Sequence, residues 1–258
     1  MGYAMLKGWI SSGRVKAEEM VVVEPADLLR EQAIALGALA LADIGDITHT
    51  ATSPCVVFAI KPQAIESVVP LYARFKADAT YVSLAAGTSI ATFERLLGEE
   101  AAIVRCMPNI PVSIGEGMMV TVANQNVGPT AASLIRELLA SGGKVAEMTD
   151  ETLMDAVTAV SGSGPAYLFH FIECLCSAAV GTGLPTETAK LLALQTVYGA
   201  ALMANTSSRQ IEELRQQVTS ANGTTAAALS VLMTDGKLNK LLSDAVRAAR
   251  DRSVELRE

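Results

Sequence analysis

The chain has 258 residues, enough for one large or two ordinary domains that each bury a core. It is 50% hydrophobic with a mean hydropathy of +0.34, yet no uninterrupted apolar run reaches membrane-spanning length. A net charge of −7 without a basic cluster argues against a nucleic-acid partner, and no basic leader with a cleavage site points to secretion.

The N-terminal residues 1–6 already follow a helical pattern. Strand-like apolar runs then recur at 20–23, 55–60, 80–84, 102–107, 118–122 and 145–148. Amphipathic stretches lie between them at 25–36, 63–75, 89–97 and 129–141. This alternation predicts an α/β domain over residues 1–149, a mostly parallel sheet covered by helices. Ligands of such sheets bind beyond the carboxyl ends of the strands. Those ends read Ala59-Ile60-Lys61-Pro62, Ala85-Ala86-Gly87 and Met107-Pro108-Asn109. Small residues and prolines at three successive ends fit a flat ligand, a nucleotide, laid across them.

Glu24 closes the strand expected at 20–23. An acid placed about 20 residues after a glycine turn accepts hydrogen bonds from an adenosine ribose. That position favours NAD, because a 2′-phosphate would face a carboxylate. A helix-capping charge beside Pro25 is the alternative reading, and Arg30, one turn on, could meet a phosphate. The coenzyme therefore stays open. A dinucleotide fold begins with a buried strand and a Gly-x-Gly-x-x-Gly turn. Here Gly2 can stand for the third glycine, while the first strand and the first two glycines have no counterpart. That strand lies mid-sheet in the usual order, so two strands would be left with unpaired edges. Three explanations are open: a start site placed too late or a shortened chain, a real chain without the strand and without activity, or a strand supplied by another chain.

Strand patterns stop after residue 149. Asp150 is a plausible N-cap for a helix over 151–160, and Ser161-Gly162-Ser163-Gly164-Pro165 predicts a break. Helices follow at 166–180, 185–205, 211–217, about 224–233 and from about 238 onward. Residues 150–258 thus read as an all-α domain. Its helices at 166–180 and 191–203 are more apolar than a small domain can bury, which predicts a tight homo-oligomer interface. The four cysteines, Cys55, Cys106, Cys174 and Cys176, read as buried thiols of a reducing cell interior. Cys174 and Cys176 point to different helix faces and only His49 and His170 could join them, so no metal is expected.

Residues 218–242 run VTSANGTTAAALSVLMTDGKLNKLL, a small-residue loop entering a helix with two hydroxyls in its first turn. Helix-terminal N–H groups and the positive dipole end offer a site for a carboxylate or phosphate. A plain capped core helix is the alternative.

Together these motifs resemble, in order and spacing, the pyrroline-5-carboxylate reductase family, over essentially the whole chain. The resemblance implies a Rossmann domain followed by a helical dimerisation domain, with homodimers assembling further into oligomers such as decamers. It implies reduction of the cyclic imine 1-pyrroline-5-carboxylate to proline with NADPH or NADH, in the cytoplasm, without membrane or nucleic acid. By the same resemblance Gly2, Glu24, Ala59, Ile60, Lys61, Pro62, Ala85, Ala86, Met107, Pro108 and Asn109 would hold the coenzyme, Asn109 orienting the nicotinamide amide. Val218, Gly223, Thr224 and Thr225 would hold substrate, the amides of 223–225 taking its carboxylate. Thr225, the catalytic residue, would hydrogen-bond the ring nitrogen. Ser161, Gly162, Gly164 and Pro165 would wall the substrate pocket. The family loop usually reads Ser-Pro-Gly-Gly-Thr-Thr; here Ala221 and Asn222 replace Pro-Gly, and asparagine tolerates the positive φ such a turn uses. A retuned imine or β-hydroxyacid-type reductase and a non-catalytic oligomeric scaffold are the competing readings.

Overall fold

A computed structural model describes residues 1–47 and 54–256, so His49 lies outside the described residues. The chain forms two compact units, one of residues 1–163 with 249–258 and one of residues 164–248. The sequence reading changes domain at residue 150; by packing, residues 150–163 go with the first unit.

In the first unit, helix α1 (Gly2–Ser11) leads to strand β1 (Val21–Val23), helix α2 (Asp27–Ala35) and strand β2 (Leu39–Leu41). Then come β3 (Cys55–Phe58), the single turn α3 (Ile65–Val68), β4 (Thr80–Ser83), α4 (Ile90–Leu97), β5 (Ala102–Met107), β6 (Gly117–Ala123), α5 (Pro129–Ala140), β7 (Gly143–Met148) and the short α6 (Met154–Val157). Among the described residues β1 pairs with β2 in a two-stranded ladder, and the other strands form one sheet in the order β3-β4-β5-β6-β7. Every pairing is parallel except β5 with β6. Among the described residues β1 and β3 each pair along one edge.

Both faces of the five-stranded sheet are covered, as parallel pairing demands. Phe58, Tyr81, Phe93, Ile103 and Met154 fill one side. On the other, Met5 and Trp9 of α1 pack with Val82, Val104, Cys106 and Met119. Leu6, one residue from Met5, turns instead to Ala33 and Ala38 beside the small ladder. Helix α1 thus buries two faces at once, tying the two sheets through helix-spaced apolar residues.

The second unit is helical: α7 (Gly164–Gly181), α8 (Thr186–Thr206), α9 (Ile211–Gln217), α10 (Thr224–Met233) and most of α11 (Lys237–Glu255), whose last turns belong to the first unit. Phe169, Leu191, Tyr198 and Met203 of this unit are exposed.

Four sequence expectations need correction. Strand β2 was not expected, because Leu39-Ala40-Leu41 has no β-branched or aromatic residue, whereas the equally short β1 is three valines. The helix expected at 63–75 is only α3 flanked by 3-10 turns, since Pro70 lacks an amide hydrogen. The break expected at 161–165 is narrower than expected, a bend at Ser163 where the two units divide: residues 158–162 form a π-turn, Ser163 N donating to Thr158 O at 2.9 Å, and α7 starts at Gly164. Of the four cysteines expected to be buried, Cys106 is, Cys55 and Cys176 are half-buried and Cys174 is exposed.

Candidate functional site

The strand ends of the first unit leave the sheet in register. Phe58 pairs with Ser83, and Ser83 with Arg105, so β3, β4 and β5 deliver their following loops to one edge. After β3, Ala59 is exposed, and Lys61 and Pro62 start a 3-10 turn closed by Ala64 N on Lys61 O at 2.9 Å. After β4, Leu84 N donates to Phe58 O at 3.0 Å and Ala85 N to Ser83 Oγ at 3.3 Å, fixing the Ala85-Ala86-Gly87 loop. Gly87 is buried and takes φ +74°, a value that favours glycine.

Helix α1 starts beside the first of these ends. A Cβ on Gly2 would stand 2.8 Å from Ala59 Cβ, so the helix start approaches the strand end as closely as only glycine allows. No side chain caps α1. Its first amides, ahead of the Met5 N to Met1 O bond at 3.1 Å, are free to meet an anion. A dinucleotide needs this kind of approach: a helix N-terminus for its pyrophosphate and small strand ends for its rings. The residues present fit it.

Glu24 follows β1 and extends its ladder, its amide donating to Leu41 O at 2.9 Å. Its Oε1 accepts from Ala26 N at 2.9 Å. Arg30 folds back on the same turn, Nη1 donating to the carbonyls of Glu24 at 3.0 Å and Pro25 at 3.2 Å, and pairs with Asp27. The cation beside Glu24 is therefore already held by the chain.

After β5, Pro108 is buried and the Asn109 carboxamide is engaged on both sides. Its Nδ2 donates to Ser161 O at 3.2 Å and lies 3.4 Å from Ser161 Oγ, while its Oδ1 accepts from Met118 N at 2.8 Å. A Cβ on Gly162 would collide with Met107 Cε. The structure thus brings Met107, Asn109, Ser161 and Gly162 together within the first unit, with the π-turn laid on the end of β5. Such turns concentrate at functional sites. Gly164 and Pro165 begin α7 in the second unit.

In the second unit the loop ahead of α10 is wound as its sequence suggests. Asn222 takes φ +58°, and Gly223 N donates to Ser220 O at 3.1 Å. A Cβ on Gly223 would collide with Ser220 Oγ. Gly223 is the N-cap of α10 and contributes no side chain. The first i→i−4 bond is Ala227 N to Gly223 O at 3.1 Å, so the amides of Thr224, Thr225 and Ala226 precede the ladder. Val218, just upstream, is exposed.

Residues missed from sequence are those that brace the first half-site. Glu151 Oε1 accepts from Arg105 Nη1 at 2.8 Å and from Ile90 N at 2.9 Å, and Ser253 Oγ donates to Asp155 Oδ1 at 2.8 Å. A lone arginine in an otherwise apolar strand was the available signal for the first; the second carries none.

A sheet with small strand ends beside a helix start, followed by an apolar helical unit, defines a two-unit oxidoreductase of the dinucleotide-binding type. The family model for pyrroline-5-carboxylate reductase dimerisation matches residues 151–256. A pyrroline-5-carboxylate reductase of Pseudomonas aeruginosa is 42% identical over 209 residues, covering 81% of this chain and 76% of that one. A solved structure of the reductase from Coxiella burnetii superposes with a TM-score of 0.92 at 33% identity, covering 100% of this chain and 95% of that one. The Plasmodium falciparum pyrroline carboxylate reductase, solved with NADP bound, does so at 0.87 and 29% identity, covering 100% and 95%. The chain belongs to the pyrroline-5-carboxylate reductase family.

Proposed function

We propose that this chain reduces 1-pyrroline-5-carboxylate to L-proline with NADPH or NADH. The observation that carries this reading is the start of α10, where three amides and the Thr224 and Thr225 hydroxyls sit in the first turn after a preformed Asn222-Gly223 bend.

Imine reduction asks for a carboxylate clamp, a hydride donor held close, and a hydrogen-bond donor at nitrogen. Gly223, Thr224 and the helix dipole supply the clamp without a charged side chain. Thr225 Oγ1 holds the ring nitrogen and stabilises charge there; the proton itself can come from water. Ser161 and Gly162 of the first unit and Gly164, Pro165 and Val218 of the second are the further residues assigned to substrate. When bound, the nicotinamide coenzyme supplies the hydride. Gly2 and the first amides of α1 hold its pyrophosphate, Glu24 its adenosine ribose, and Ala59, Ile60, Lys61, Pro62, Ala85, Ala86, Met107 and Pro108 its remaining edge. Asn109, its carboxamide held by Ser161 and Met118, orients the nicotinamide amide.

The apolar residues exposed on α7 and α8, with the dimerisation match, support a homodimer, which we take to assemble into a larger homo-oligomer such as a decamer. Among the described residues no helix is long and apolar enough to cross a membrane. The enzyme works in the cytoplasm. We place the boundary between the coenzyme-binding and the substrate-binding, dimerising parts near residue 150, although residues 150–163 pack with the first unit.

The test is oxidation of NADPH and NADH by the purified chain with pyrroline-5-carboxylate, paired with proline-dependent reduction of NAD⁺ and NADP⁺ at high pH. Turnover in both directions supports the reading. A folded chain that binds neither coenzyme returns the argument to an oligomeric scaffold.

A further inference from the structure

We infer that the last turn of α11 is a strap that sets the coenzyme loop, with Ser253 as a positioning residue for coenzyme binding. The inference rests on the reading of Ala85-Ala86-Gly87 as the coenzyme edge. The rest of helix α11 is exposed or half-buried, and Ser253 is its buried residue, 5% exposed. Its hydroxyl donates to Asp155 Oδ1 at 2.8 Å, and Asp155 is 2% exposed. A buried carboxylate is not placed for packing; it holds something. One group that it holds is Ser253, at the start of the helix's last turn. Leu256 N closes that turn on Arg252 O at 3.1 Å, and the Leu256 backbone then lies on Gly87. A Cβ at Gly87 would stand 3.2 Å from Leu256 O and 3.5 Å from Leu256 C.

The chain of contacts runs Asp155, Ser253, Leu256, Gly87. Its last member has φ +74°, a conformation that a neighbouring backbone can hold in place. Asp155 lies in α6, just ahead of the π-turn whose Ser161 holds Asn109. The two loops read as coenzyme walls, at 85–87 and 107–109, are therefore braced from one short stretch, residues 155–161. Loosening Ser253 frees the 85–87 loop and leaves the α10 clamp untouched in sequence.

The test is titration of the intact protein with NADPH and with NADH, each in the absence of substrate, with steady-state kinetics alongside. Ser253→Ala is expected to raise the dissociation constant and KM for NADPH by about tenfold, the loss of one buried hydrogen bond. Its kcat at saturating NADPH and its KM for pyrroline-5-carboxylate should stay within about twofold of the parent, a split that general destabilisation does not produce. Ser253→Thr, which keeps the hydroxyl, should restore binding. If Ser253→Ala fails to fold, a chain ending at Ser253 carries the test, since it keeps the hydrogen bond and removes Leu256; weaker NADPH binding is again expected. A parent that binds NADPH and variants that bind it equally tightly would overturn the strap alone. A parent that binds no coenzyme would overturn the underlying site reading and the strap with it.

Discussion

Arg105 Nη1 donates to Glu151 Oε1 at 2.8 Å, and that same oxygen accepts the Ile90 backbone amide at 2.9 Å. The arginine side chain is 4% exposed and the glutamate 28%, so one carboxylate oxygen joins β5, the start of α4 and the stretch entering α6. Stranding a buried charge costs about 3–5 kcal/mol, and the partial exposure of Glu151 places this pair at the low end. Glu151→Ala should destabilise the first unit by about 3 kcal/mol in urea unfolding at fixed protein concentration. In an Arg105→Met background the same change should cost about 2 kcal/mol less, because no charge is left behind. Equal costs in both backgrounds would show that the pair is uncoupled.

The sheet was legible because its strands alternate with helices at ordinary spacing; β5 lies where its apolar run predicts, at Ala102–Met107. What sequence could not show was contact between distant residues. Asn109 meets a partner 52 residues away and Ser253 one 98 residues away, and neither leaves a local pattern. The strand ends and the Asn222-Gly223-Thr224-Thr225 bend were readable for the opposite reason, being set by neighbours: Asn222 does take a positive φ. Glycine and serine at 162–163 do signal the break at Ser163, but they hide the wider helical turn that closes just before it at 158–162. Pro70 misled less excusably, as its missing donor is visible in the sequence.

Cys106 sits in β5 at 1% exposure, and burial pushes its thiol up to about 12 from an ordinary 9.0. At pH 8 its thiolate fraction is then about one in ten thousand. Iodoacetamide labelling followed by peptide mapping should leave Cys106 unmodified in the folded chain and modify it in guanidinium chloride. The sign for stability follows from the proton count. The folded state keeps a proton that the unfolded state sheds above 9.0, so this contribution is complete below 9.0 and is lost as pH rises toward about 12. Fast labelling of native Cys106 at pH 8 would mean that β5 opens far more readily than its packing implies.

Glu24 and Asp27 put two carboxylates at the end of β1, against one guanidinium that already bonds two carbonyls and Asp27. A ribose with free hydroxyls suits that turn better than a 2′-phosphate. The chain should therefore favour NADH over NADPH in kcat/KM. Glu24→Ser should move the ratio toward NADPH by about tenfold, the size of one relieved like-charge contact near a surface. The comparison needs both coenzymes assayed at one ionic strength, because salt screens the difference. A ratio unmoved by the substitution would take Glu24 out of coenzyme choice.

Thr225 stands in the first turn of α10, past an N-cap glycine that offers no side chain, so its hydroxyl is not required to start the helix. Thr225→Ala should then leave the melting temperature near that of the parent and still lower kcat/KM by about 10- to 1000-fold, the range for one donor at a developing charge. Thr225→Ser should recover most of the rate. Asn222 gives the complementary case. Its φ of +58° is tolerated by asparagine and natural to glycine, so Asn222→Gly should keep the bend and the activity. Asn222→Val, β-branched at a positive φ, should distort the bend and raise KM for pyrroline-5-carboxylate more than KM for coenzyme. Steady-state kinetics with each substrate varied in turn separates these outcomes. Near-parent turnover by Thr225→Ala would remove this hydroxyl from the mechanism and leave the α10 amides as the whole of the clamp.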